Sequence, residues 1–200
     1  GNFNKKIFLS TGMSNINEID QAVNTLVKFG TKKKKITLLH CNTEYPTPFK
    51  DANLKAIISL RKKFNLEIGY SDHTESIEAS LAAVALGATV IEKHFTLSKK
   101  LKGPDHAASI EPKELRDLVV KIRNIEVSLG DGKKKVTVSE RKNIKIVRKS
   151  IVALKNIKKG EKFNYNNLTV KRPGTGINPM KIEKVIGKKS KRNFKADTII

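Results

Sequence analysis

Four short polar clusters hold the residue types that could do chemistry in this chain: Ser10-Thr11-Gly12, His40 to Tyr45, Ser71-Asp72-His73 and Glu92-Lys93-His94. Each ends an apolar run of strand length, so each should lie at the C-terminal end of a strand. In parallel α/β folds those ends form the functional face. His73 and His94 could share a divalent cation through imidazole nitrogens. Spacing alone also fits two histidines that hydrogen-bond in a partly buried cleft. Glu92 and His94 stand two apart on a strand and share a face, with Lys93 between them pointing outward. Glu92 is thus a candidate general acid or base, or a salt-bridged carboxylate. Ser10 and Ser71 offer hydroxyl donors, and the turns after them offer backbone N–H groups, a combination that suits a phosphate. A serine ahead of a helix can equally be its cap. His40 reads as a satisfied wall residue. In the loop Gly103 to His106, Asp105 is a better partner for a substrate hydroxyl than His106.

The elements that must position these residues follow from periodicity. Strands are expected at Lys6 to Leu9, Ile36 to His40, Leu66 to Tyr70 and Thr89 to Glu92. A helix should follow each, with apolar faces on Ile16, Ile19, Val23 and Leu26, then Leu54, Ile57 and Phe64, then Ile77, Leu81 and Val84, and from about Pro112 onward Leu115, Leu118 and Ile122. Residues 1–129 therefore read as four βα units: half of a (β/α)8 barrel, or a four-stranded doubly wound sheet. Residues 130–143, opening on Gly130-Asp131-Gly132, read as a linker. Residues 144–200 read as a small, mostly β domain with strands at Ser150 to Leu154 and Leu168 to Lys171.

The chain of 200 residues is 38% hydrophobic and 30% charged, a globular composition, and no apolar run is long enough to cross a bilayer. The amino terminus lacks a signal-peptide layout. A single cysteine, Cys41, excludes an internal disulfide and fits a reduced, cytoplasmic setting. The net charge of +22 raises the question of nucleic acid. The lysines fall in short runs at turns and helix flanks, tryptophan is absent, and the aromatics do not interleave with basic positions as a stacking platform would. Neither nucleic acid nor a membrane is therefore expected as a partner, whereas anionic small substrates are.

Taken together, the motifs resemble the N-acetylneuraminate synthase family, which includes the legionaminic and pseudaminic acid synthases. The resembling segments are FLSTGM (Phe8 to Met13), LLHCNTEYPTPF (Leu38 to Phe49), GYSDHT (Gly69 to Thr74), GATVIEKHFTL (Gly87 to Leu97) and GPDHAAS (Gly103 to Ser109). RKSIVALKNIKKGE (Arg148 to Glu161) and VKRPGTGI (Val170 to Ile177) follow. The resemblance implies the C-terminal half of a synthase barrel followed by an antifreeze-like (SAF) domain. It implies condensation of phosphoenolpyruvate with N-acetylmannosamine or a legionaminic acid precursor. By motif position, His73 and His94 are metal ligands, for Mn2+ first and Mg2+ or Co2+ as alternatives. Glu92, His94 and Asp105 are catalytic, Ser10 and Ser71 bind phosphoenolpyruvate, and Thr43, Tyr45, Asp105 and Arg172 bind the sugar. Arg172 would serve the partner's barrel in a domain-swapped homodimer.

Family members carry half a barrel more ahead of the segment that begins here, so the resemblance also implies a fragment, inactive if truly truncated. Two other readings remain at this point: another phosphoenolpyruvate-dependent 3-deoxy-sugar-acid synthase, and a basic polyanion-binding protein. A charge map separates them, because a binder needs a continuous basic stripe and a synthase needs basic charge at the strand ends.

Overall fold

The computed structural model describes residues 5–200; Gly1 to Asn4, part of the amino-terminal stretch read above for a leader, lie outside the described residues. The chain divides into two compact units, Gly1–Gly132 and Lys133–Ile200. Among the described residues, no helix is long and apolar enough to cross a membrane.

The first unit is an α/β unit. Its strands β1 (Ile7–Ser10), β2 (Ile36–Cys41), β3 (Glu67–Asp72) and β4 (Ile91–Lys93) form one parallel sheet in the order β1-β2-β3-β4. Helices α1 (Ile16–Lys28), α2 (Ala56–Phe64) and α3 (Glu78–Ala85) connect them, and α4 (Pro112–Leu129) follows β4. Local chemistry fixes the helix starts. Asn15 caps α1 in a reciprocal box with Glu18, and Glu111 does the same for α4 with Glu114, ahead of Pro112.

Strand order decides between the two architectures left open by periodicity. A doubly wound sheet reverses direction at a switch point and carries helices on both faces. Here every connection steps the same way, and right-handed crossovers then place all helices on one face. The core agrees. Leu9, Ile36, Leu38, Ile68, Tyr70 and Ile91 alternate along the strands and pack against Ile19, Val23, Ile57, Leu60, Phe64 and Ala83 of the helices. The opposite pleat carries Phe8, Ser10, Leu39, Ser71 and Glu92, and Phe8 is 50% exposed on it. This is the curled half-barrel arrangement, with the helix-covered core on one pleat and a mixed opposite pleat where Leu39 is buried and Phe8 is half exposed. Ile57 is completely buried in that core. Ile57→Ala should lower unfolding free energy by about 2–5 kcal/mol in a denaturant titration, because the neighbouring side chains cannot fully refill the space.

β4 begins later than the expected Thr89. The ladder nevertheless starts there, since Thr89 N–H donates to Ile68 O (2.9 Å) and Tyr70 N–H to Val90 O (2.8 Å).

In the second unit, β5 (Ser150–Ala153) and β6 (Leu168–Lys171) pair antiparallel over a core of Ile151, Ala153, Ile157, Phe163, Leu168, Val185 and Phe194. Two short helices precede them, α5 (Val138–Arg141) and α6 (Ile144–Val147). The stretch read as a linker thus contains a helical turn, started by a capping box between Thr137 and Glu140 that is visible in the sequence. Regular strand is confined to β5 and β6; elsewhere the β-like runs make single bridges such as Ile157 with Phe194 and Lys162 with Lys189.

Candidate active site at the strand ends

Pleat and register assemble the site. Cys41, Ser71 and Glu92 are lateral neighbours on the open face of β2, β3 and β4. His73 and His94 follow one step beyond the last residues of β3 and β4. Their rings stand 5.3 Å apart between centroids at 76°. The loop after β2 brings Tyr45 over both, 4.2 Å from the His73 ring and 5.2 Å from the His94 ring. Two bonds staple that loop to the end of β3. His73 Nδ1 lies 2.5 Å from the Asn42 carbonyl oxygen, and Thr47 N–H donates to the His73 carbonyl at 2.7 Å.

The hydrogen-bond network assigns the protons. A carbonyl only accepts, so His73 Nδ1 carries the hydrogen, and in the neutral ring Nε2 keeps its lone pair. Ser71 Oγ lies 3.3 Å from that Nε2, but its hydroxyl hydrogen goes to Glu92 Oε1 at 2.7 Å. This arrangement fits a divalent cation. The outer nitrogen of a metal-binding imidazole is commonly committed to a carbonyl in this way, which fixes the ring and raises its basicity. Among the described residues, no group of three His, Cys, Asp or Glu is placed to hold an ion. An ion held here would have two protein nitrogens, with its remaining positions left to other ligands.

The other expected residues lie around this centre. Ser10 ends β1 on the same pleat and is exposed. Neither serine caps a helix, since Asn15 caps α1 and Ser71 lies within β3. Thr43 is exposed and rests its Cγ2 over Gly12, where an added Cβ would approach to 2.7 Å; the glycine makes room for the loop. Asp105 is exposed in the β4–α4 loop, where its carbonyl accepts from Ser109 Oγ at 2.7 Å. His106 Nδ1 is tied to Thr96 Oγ1 at 2.7 Å. His40 faces the helices and bonds the Ala52 carbonyl at 2.8 Å. Arg172 belongs to the second unit, exposed after β6, with Nε donating to the Val147 carbonyl at 3.0 Å.

Lys93 departs from the simple expectation. It does point away from Glu92 and His94, yet into the buried layer under the helices and not to solvent. There its ammonium lies 3.1 Å from Asp72 Oδ2, with 3% and 0% of the two side chains exposed. Asp72 also pushes the Tyr70 phenol up in pKa, second to burial itself. The sequence did carry a signal for this pair: an acid and a base on the same pleat parity of adjacent strands. The role of Asn42 had no such signal, because it acts through a backbone carbonyl.

Sequentially ordered parallel strands with a polar cluster at their C-terminal ends define an α/β unit with a curled, half-barrel sheet. The chain belongs to the NeuB family, whose model matches residues 1–134, and residues 148–200 match the SAF domain. It is 59% identical to an N,N'-diacetyllegionaminic acid synthase of Campylobacter jejuni, over 98% of this chain and 59% of that protein. It is 40% identical to an N,N'-diacetyllegionaminic acid synthase of Legionella pneumophila, over 97% of this chain and 55% of that one. Among solved structures it resembles the N-acetylneuraminic acid synthetase of Leptospira borgpetersenii, with a TM-score of 0.64 and 42% identity over 72% of this chain and 49% of that chain. The chain thus spans a little over half the length of the curated relatives it matches.

Proposed function

We propose that the protein condenses phosphoenolpyruvate with an N-acylated amino sugar, giving a nonulosonic acid and phosphate. The observation that carries this reading is the convergence of Tyr45, Ser71, His73, Glu92 and His94 on the open face at the strand ends. Membership of the NeuB family supports it, and the identity to the Campylobacter protein supports a legionaminic acid precursor as the sugar ahead of N-acetylmannosamine. In this reading the half-barrel is completed by further βα units into an eight-stranded barrel. The active form is a domain-swapped homodimer in a cytoplasmic setting, to which the unpaired Cys41 is suited.

His73 and His94 would hold a divalent cation, Mn2+ first, with Mg2+ or Co2+ as substitutes. The chemistry such an ion supplies when bound is Lewis-acid polarisation of the sugar's aldehyde. C3 of phosphoenolpyruvate forms the new bond to the aldehyde carbon. Water adds at C2 and passes a proton to Glu92, and the former aldehyde oxygen takes up a proton to become a hydroxyl. The C2–O bond to phosphate then breaks as the C2 hydroxyl gives up its proton to leave the keto group. Ser71 can assist at two stages. Its hydroxyl has one hydrogen, given to Glu92 in the resting site at 2.7 Å. A bound phosphate competes for that hydrogen, and Glu92 is then free to accept from water. Ser10 adds a second donor to the phosphate. Tyr45 covers the histidines and, with Thr43 and Asp105, forms the sugar's walls.

Arg172 would grip the sugar's N-acyl group in the partner's barrel, because Nε is committed to Val147 and the two Nη groups remain to reach outward. The test is phosphate release from phosphoenolpyruvate with each sugar, for a protein as long as the curated relatives and its Arg172→Lys variant. The wild type should turn over only with sugar and Mn2+ present. The variant should raise KM for the sugar on the order of tenfold, the worth of a charged hydrogen bond, and leave KM for phosphoenolpyruvate unchanged. No release with either sugar would refute the condensation. Equal effects on both Michaelis constants would refute the role of Arg172.

A further inference from the structure

We infer that the buried Asp72–Lys93 pair, with Thr74, is the device that sets the spacing and orientation of His73 and His94, so that these three are positioning residues for the cation. The inference rests on the reading of the two histidines as cation ligands.

Asp72 accepts three hydrogen bonds and makes one ion pair. Oδ1 takes Thr74 N–H and Thr74 Oγ1–H, each at 2.8 Å. Oδ2 takes Ser80 Oγ–H at 2.6 Å and the Lys93 ammonium at 3.1 Å. Lys93 also donates to the Thr74 carbonyl at 2.7 Å. The residues on either side of His73 are thereby locked to each other, and Thr74 is held at its N–H, its carbonyl and its hydroxyl. The same ammonium carries the lock to β4. Asp72 and Lys93 are Cα partners in the ladder, and the two histidines are the next residue on each strand. One buried ion pair thus joins the two ligand-bearing strand ends from behind, while Ser71 and Glu92 join them from the front.

Stability does not account for the pair. Two charges taken out of water cost about as much as they return, and a well-packed apolar pair of similar volume is commonly as stable or more so. What an ion pair supplies and an apolar contact does not is a directional, single-register connection. Partners behind a ligand are worth about 10- to 100-fold in metal affinity in other sites.

The test is the Mn2+ dissociation constant of the metal-free, full-length protein, read by electron paramagnetic resonance of free Mn2+ and by calorimetry, together with the thermal midpoint. Lys93→Met alone strands a buried carboxylate and risks misfolding. The informative variants are the neutral double change Asp72→Asn/Lys93→Met and the near-isosteric Thr74→Val. Ile57→Ala serves as a control that weakens the core away from the histidines. Both site variants should weaken Mn2+ binding about 10- to 100-fold, and Ile57→Ala should lower the midpoint with the dissociation constant unchanged. Site variants that bind Mn2+ as the wild type does, whatever their midpoints, overturn the positioning role. A fall in affinity for Ile57→Ala equal to theirs overturns it too, because affinity would then merely follow stability. Wild-type protein that binds no Mn2+ overturns the cation reading itself, and the inference with it.

Discussion

His73→Ala should remove metal-dependent turnover while the metal-free protein still unfolds cooperatively within a few degrees of the wild type. The site offers two imidazoles and, among the described residues, no third group to compensate. On the proposed reading, losing one of two nitrogens would remove the ion and with it several kcal/mol of stabilisation of the developing charge, a rate loss on the order of 10^3 or more. The fold should tolerate the change, since His73 belongs to neither core cluster. The side-chain bond it forfeits, to the Asn42 carbonyl, is worth about 1 kcal/mol. Steady-state kinetics with and without Mn2+ and calorimetric melting of the metal-free protein decide the matter. Undiminished activity of the variant in Mn2+ would remove the histidines from the mechanism, and a lost melting transition would make His73 a structural residue.

Residues 1–200 produced on their own should self-associate and turn over negligibly beside a protein as long as the curated relatives. Both outer strands of the sheet, β1 and β4, present ladder groups on one side, and parallel sheets are normally covered on both faces. The open face carries Phe8 at 50% exposure beside the polar strand ends. A second copy of the face is the nearest apolar cover available. Sedimentation velocity across a range of concentrations should show association, and phosphate release should stay at background. A monodisperse monomer with the turnover of the longer protein would make the four-stranded unit a finished fold.

Much of this was legible in the chain. α4 could be placed from Pro112 and its apolar spacing, and β6 from its turn-bounded run, because local chemistry fixes both. The strand-end clusters could be found because strand ends interrupt apolar runs. Less accessible were features that depend on what lies across the sheet. Regular strand geometry in β4 begins two residues after the expected Thr89, because the apolar run reports the ladder, whose bonds do start at Thr89, and not the local backbone geometry. Lys93 was read outward because alternation tells which pleat a residue occupies, not whether that pleat meets water or helices. The charge map also differs from the simple expectation. The positive excess falls mostly in Lys133–Ile200, where the acids are only Glu140, Glu161, Glu183 and Asp197. At the strand ends of the first unit Lys93 is neutralised by Asp72, so anionic substrates gain little attraction from that residue.

The unbroken order β1-β2-β3-β4 bears on how the chain is made as well as on what it binds. Each strand pairs with the one synthesised just before it, so every new βα unit finds its docking edge already outside the ribosome. No strand must wait for a later one to be inserted beside it, as happens in sheets with a reversed order. Loop closure at each step spans a single helix, which keeps its entropic cost low. Assembly can therefore advance at the pace of translation, and the last edge formed is the one whose end carries His94.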